Sequence, residues 1–129
     1  MTLPVTSLLA CGLARLLLWL SWLVIAQRRV AGSSIGDGGD PVLQRRIRAQ
    51  GNLVEYAPMF VILVGLAELQ GNGPIVLGGI AGMFLVGRMA HGYALAMTPG
   101  APLARGGGMG LTVLAMLAAI AVNLLGFVN

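Results

Sequence analysis

Long apolar runs dominate this chain, and its polar residues gather between them. Four runs, at residues 3–25, 53–69, 74–97 and about 104–128, come close to the roughly 20 apolar positions a helix needs to cross a bilayer. The pattern predicts an all-α integral membrane protein, a single four-helix transmembrane bundle over residues 1–129. Between the first two runs, AGSSIGDGGDP at residues 31–41 is rich in glycine and serine and reads as a loop. Its last two residues, Asp40 and Pro41, suit the cap and first position of a helix. Helix two would then begin well before its apolar part. Over residues 41–69 it measures about 43 Å, so its arginine-rich first turns project past the membrane. Pro58 lies inside it and should bend its axis. Gly78 and Gly82, four apart in the third run, are expected to let helices approach closely. Pro99 and Pro102 break the chain before the fourth helix, whose first turn holds Gly106 to Gly108.

Composition confirms the class: 57% of residues are hydrophobic and 9% charged, outside the range of soluble domains. Every basic residue is arginine, and Arg28, Arg29, Arg45, Arg46 and Arg48 flank the first connection, which is expected to face the cytoplasm. The second connection, LQGNG, carries no positive charge, and Arg105 falls on the third. Both termini are thus expected on the non-cytoplasmic side. No aromatics interleave with the arginines, so nucleic-acid binding is not expected. The first run lacks a preceding basic region and has arginines after it, which suits a retained anchor better than a cleaved signal. Cys11 has no partner for a disulfide and is expected to be a small packing residue.

Helix two carries the chemistry. At 3.6 residues per turn, Arg45, Arg48, Asn52, Glu55 and Tyr56 share a sector about 100° wide. A glutamate within a span is costly unless it is paired or wet, so this stripe implies either a helix-pairing contact or a hydrated ligand site. Arg15 and Arg88 lie deeper. Counting along the runs makes Glu68 the nearest acid to Arg15 and puts Glu55 about 12 Å shallower, with structural pairing the expected role of Arg15. His91 follows Arg88 on nearly the same face. It is the only histidine, so no metal site is expected, and it reads as an interior or pocket-lining group. Asn123 is expected to make an interhelical hydrogen bond.

RAQGNLVEYAPMF resembles the helix-two signature of the MAPEG family, the membrane-associated proteins of eicosanoid and glutathione metabolism, at Arg48, Asn52, Glu55, Tyr56 and Pro58. GRMAHGYA is similar to the family's third-span stretch at Gly87, Arg88 and His91. The resemblance implies a homotrimer with glutathione bound between protomers near the cytoplasmic face. It also implies a transferase or peroxidase acting on a lipophilic small molecule from the membrane lipid. Arg28, Arg45 and Arg48 would hold the glutathione carboxylates, Glu55 its ammonium, and Asn52 and Tyr56 would add hydrogen bonds. Arg105, near the start of helix four, corresponds to the arginine that favours the thiolate, and Arg88, His91 and Tyr93 would line the pocket. The tyrosine usual seven residues after the third-span arginine corresponds to Leu95. The nearest tyrosine, Tyr93, is about 200° around the helix from His91. Gly51 stands where prostaglandin-synthase-like members carry a basic residue. A non-catalytic, lipid-binding branch of the family is the alternative. A small four-helix transporter is less fitting, since its key glutamate belongs in helix one, where this chain has Arg15.

Overall fold

The computed structural model describes residues 2–126. Four helices follow in order: α1 (Pro4–Ala31), α2 (Pro41–Leu69), α3 (Pro74–Met97) and α4 (Pro102–Leu125). Each begins with proline in its first turn, where the fixed φ suits a helix and the missing N–H would lack a partner anyway. All four are long and apolar enough to cross a membrane. Helix two has the expected bounds and runs on through Pro58. Residues 127–128, the expected end of the fourth span, lie outside the described residues.

The end of the bundle that carries the first connection is built from local hydrogen bonds. Asp40 caps α2, its Oδ1 accepting from the Val42 and Leu43 amides at 2.7 and 3.2 Å. Its Oδ2 accepts from Gln27 Nε2 at 2.7 Å. Gln27 Oε1 in turn accepts from Arg46 Nη1 at 3.2 Å, which ties the end of α1 to the start of α2. The Gln27 bond, the amide bonds and the Arg45 charge hold the Asp40 carboxyl below the usual carboxylate range, against a smaller opposing effect of desolvation.

Helix α1 packs on α2 and α3, and α4 packs on the same pair from the other side; α1 and α4 do not touch. Phe60 and Phe84 stack with ring centroids 3.7 Å apart at the centre, among Leu13, Leu20, Val64 and Ala115. The tightest crossing joins α3 to α4. A methyl on Gly87 would lie 2.8 Å from the Gly108 carbonyl oxygen, and one on Gly108 would lie 2.6 Å from the Gly87 oxygen. Gly78 and Gly82, expected to serve this purpose, face open space. A four-residue glycine spacing is periodic along one helix, but only the facing helix decides which glycine is needed.

The register of α1 against α2 is also pinned. Glu68 caps α1, accepting from the Val5 and Thr6 amides at 2.9 Å each and from Thr6 Oγ1 at 2.7 Å. Nearer the other end, Gln50 Nε2 donates to Ser21 Oγ at 2.7 Å. Glu55 therefore lies opposite residues 16–19, within about 6 Å of Arg15 in depth, while Glu68 is about 14 Å from it. This reverses the order expected from counting along each run, which could not see that α1 extends to Ala31 beside the projecting turns of α2. Cys11 is exposed rather than buried. Asn123 makes its expected interhelical bond, donating to the Leu63 carbonyl at 2.9 Å.

Candidate functional site

Arg88 is the most buried charge of the described residues, with 2% of its surface exposed. Its Nε donates to Thr112 Oγ1 at 2.9 Å, and its Nη1 donates to both the Oδ1 and the backbone oxygen of Asn52. The guanidinium carbon lies 5.3 Å from the centre of the Tyr56 ring, a cation–π distance. A guanidinium only donates, so Asn52 must turn its carbonyl oxygen toward Arg88, leaving its amide nitrogen as a donor for another partner. Thr112 completes the chain by donating to the Gly108 carbonyl at 2.9 Å. Three helices thus meet at one cation without a carboxylate. Thr112 was not singled out from sequence; a lone hydroxyl in an apolar run was the available signal.

The rest of the stripe faces outward. Arg48 and Glu55 form an ion pair at 3.6 Å, with their side chains 61% and 53% exposed. An open pair of this kind is weak and easily exchanged for another partner. The expected stripe is therefore divided by packing. Asn52 and Tyr56 turn inward to Arg88, and Arg48 and Glu55 look outward a turn away. The two sets adjoin along α2 but face different surroundings.

Arg45 and Arg105 meet one to two turns further toward the loops. They border a cavity of about 60 Å³ with Ala94, Leu95, Thr98 and Pro102. Arg45 Nε is buried without a hydrogen-bond acceptor. His91, 7% exposed, holds the start of α4 through its Nδ1, 3.0 Å from the Arg105 carbonyl oxygen. A carbonyl can only accept, so Nδ1 carries the hydrogen. The close Gly87–Gly108 contact makes this possible, because it brings α4 within reach of both Arg88 and His91. Leu95 borders the same cleft, where the family's tyrosine would stand.

Two of the expected residues lie elsewhere. Arg28 donates from Nη1 to the Gly36 carbonyl at 2.8 Å and so braces the first connection. Tyr93 is 54% exposed on the α1 side of α3, stacked 6.3 Å from Trp19 and turned away from Arg88 and His91. Among the described residues no group of three or more histidine, cysteine or acidic side chains gathers for a metal.

The profile of the MAPEG family matches residues 6–125. The chain belongs to the MAPEG family. It is also similar to the Inner membrane protein YecN of Escherichia coli strain K12, with 35% identity over 89 residues, 69% of this chain and 68% of that protein. The YecN of Escherichia coli O6:H1 is similar to the same degree. Like other MAPEG proteins, this one is an integral, multi-pass membrane protein of the eicosanoid and glutathione metabolism kind. The MAPEG match spans all four helices and includes each residue of the Arg88 hub and of the Arg45–Arg105 cleft.

Proposed function

We propose that this protein is a glutathione-dependent membrane transferase or peroxidase. In this reading, Arg45, Arg48 and Glu55 bind the tripeptide and Arg105 activates its thiol. The observation that carries it is that Arg45 and Arg105 border one cleft, with Arg45 Nε lacking an acceptor, while a turn along α2 from Arg45 begins an exposed, exchangeable Arg48–Glu55 pair. Glutathione has the complementary charges, two carboxylates and one ammonium. Arginine forks suit the carboxylates, and Glu55 suits the ammonium once it exchanges Arg48 for the ligand. The unused Asn52 amide adds a donor beside them.

Arg105 stands in the first turn of α4, where a helix N-terminus also favours an anion. A thiol with an ordinary pKa of about 8.5 loses its proton more readily beside such charge. The thiolate sulfur then attacks a lipophilic electrophile that enters from the bilayer, and the bond broken there, to a leaving group in the transferase reading or O–O in the peroxidase reading, carries off the displaced electron pair. His91 acts as a positioning residue, since it touches the Arg105 backbone rather than the reacting atoms. A cavity of about 60 Å³ is too small for a tripeptide, given that ligand sites measure roughly 300–1,000 Å³. A second protomer would supply the missing wall, and the family's trimer supports that reading.

Purified protein in neutral detergent should show a thiolate absorbance on adding glutathione near neutral pH. Arg105→Ala should abolish that absorbance while glutathione still raises the melting temperature. A full thiolate signal in Arg105→Ala removes the catalytic assignment. Absence of any glutathione response, with specific lipid retention, favours the non-catalytic lipid-binding alternative.

A further inference from the structure

A second feature lies at the end of α1 and stands apart from the glutathione reading. From mid-helix toward the first connection, Leu18, Trp22, Ile25 and Arg29 recur at steps of four, three and four residues. They therefore share one face, about 60° wide and about 16 Å long. All four are exposed. The stripe passes from aliphatic through indole to cation as it nears the connection, the order in which hydrocarbon gives way to head groups in a bilayer.

Gly32 shapes the polar end of this face. Its φ of 64° lies in the left-handed region, and its amide and that of Ser33 donate to the Arg28 carbonyl, the latter at 3.2 Å. That cap ends α1 and turns Ser33 and Ser34 back beside Arg28 and Arg29. With Ile25 and Gly32 they line an open hollow of about 370 Å³. Among the described residues Arg28 donates only from Nη1, to the Ser33 and Gly36 carbonyls, which leaves Nε and Nη2 for a ligand; Arg29 has no hydrogen-bond or ion-pair partner. Both acids of the connection are engaged elsewhere. Asp37 accepts from the Gly39 amide at 3.0 Å, and Asp40 caps α2. The partial negative charge at the end of α1, about half a unit, offsets only part of the two guanidinium charges.

We infer that this hollow holds the phosphate of an anionic phospholipid from the adjoining leaflet. Arg28 and Arg29 donate to the phosphate oxygens, the Ser34 hydroxyl adds a donor, and one acyl chain lies along Ile25, Trp22 and Leu18. Charge selects an anion, and arginine forks suit phosphate oxygens. Continuity with the apolar stripe selects a lipid, because a soluble anion would use only the polar half. A phosphatidylcholine head group is disfavoured, since its trimethylammonium brings a third cation to a site that already has two. The lipid is a bound partner that fixes the end of α1 at the interface, and no bond in it changes. None of the residues lining the hollow borders the Arg45–Arg105 cleft.

The test uses full-length protein carrying Trp19→Phe in mixed micelles of neutral detergent, so that Trp22 is the sole tryptophan reporter. Phosphatidylglycerol and phosphatidylcholine, each brominated in its acyl chains, are titrated as quenchers at fixed ionic strength. A juxtamembrane arginine is worth about fivefold in affinity for anionic lipid, so phosphatidylglycerol should quench at about 25-fold lower mole fraction. Arg29→Gln and Arg28→Gln should each cut this preference about fivefold. Arg29→Lys should keep most of it, which separates lost charge from misfolding. Arg105→Ala removes one charge from the same end of the bundle and should leave the preference intact. Equal quenching by the two lipids, a preference that survives both glutamine variants, or an equal loss in Arg105→Ala overturns the inference. Displacement of the brominated lipid by millimolar inorganic phosphate or glutathione also overturns it, because the occupant would then be a soluble anion.

Discussion

Arg88 shows how one buried cation is kept without an acid. Its supports come from two other helices: the Asn52 oxygens and the Tyr56 ring face from α2, and the Thr112 hydroxyl from α4. Arg88→Lys keeps the charge but not the fork, so one buried acceptor is left without a donor. That variant is expected to lose about 1–3 kcal/mol of stability, read as a lower thermal midpoint in detergent. Asp40 gives a pH prediction of definite sign. Its folded carboxyl sits below its ordinary value, so the stabilisation is fully present above the unfolded pKa and is lost as pH falls through the folded one. Asp40→Asn should keep the cap and lose the acid-dependent part of stability, whereas Asp40→Ala should lose both; melting curves from neutral to acid pH check this. The sequence shows Asp40 as a cap because the capped amides are two and three residues away. It does not show that Gln27 completes the carboxylate, since that partner arrives from another helix.

At the scale of helices, glycine placement separates the two halves of α3. Gly87→Ala or Gly108→Ala pushes a methyl into backbone that cannot rotate aside, so each should cost about 1–3 kcal/mol and loosen the His91–Arg105 contact. Gly78→Ala and Gly82→Ala should be neutral or stabilising by up to about 1 kcal/mol, because they remove backbone entropy without a clash. Comparing thermal midpoints of the four variants checks both statements. Spans, the α2 cap and connections were legible, because hydropathy, cap and proline placement act within a few residues. The glycine contacts were not legible, since they depend on how α3 is rotated against α4. The same applies to Glu68, which looks like a counter-charge for Arg15 along the chain but caps α1 in space.

For the whole molecule, the outward face of Arg48 and Glu55 makes ligand binding, on the proposed reading, a matter of assembly. On the proposed reading, glutathione at 100 times its dissociation constant should stabilise the oligomeric fraction by about 2.7 kcal/mol. It should leave a detergent-dissociated monomer unchanged, as scanning calorimetry of the two fractions separated by size would reveal. The sequence by itself determined four spans, the projecting start of α2, its cap, and a polar stripe at Arg45, Arg48, Asn52, Glu55 and Tyr56. Each follows from period and composition, which are properties of one helix at a time. Only the tertiary structure decided that Asn52 and Tyr56 turn in to Arg88 while Arg48 and Glu55 turn out, that Arg45 meets Arg105, and that Tyr93 stacks on Trp19. Helix rotation and register come from steric fit between elements, and a one-dimensional pattern carries the face a residue shares but not the neighbour that face will meet.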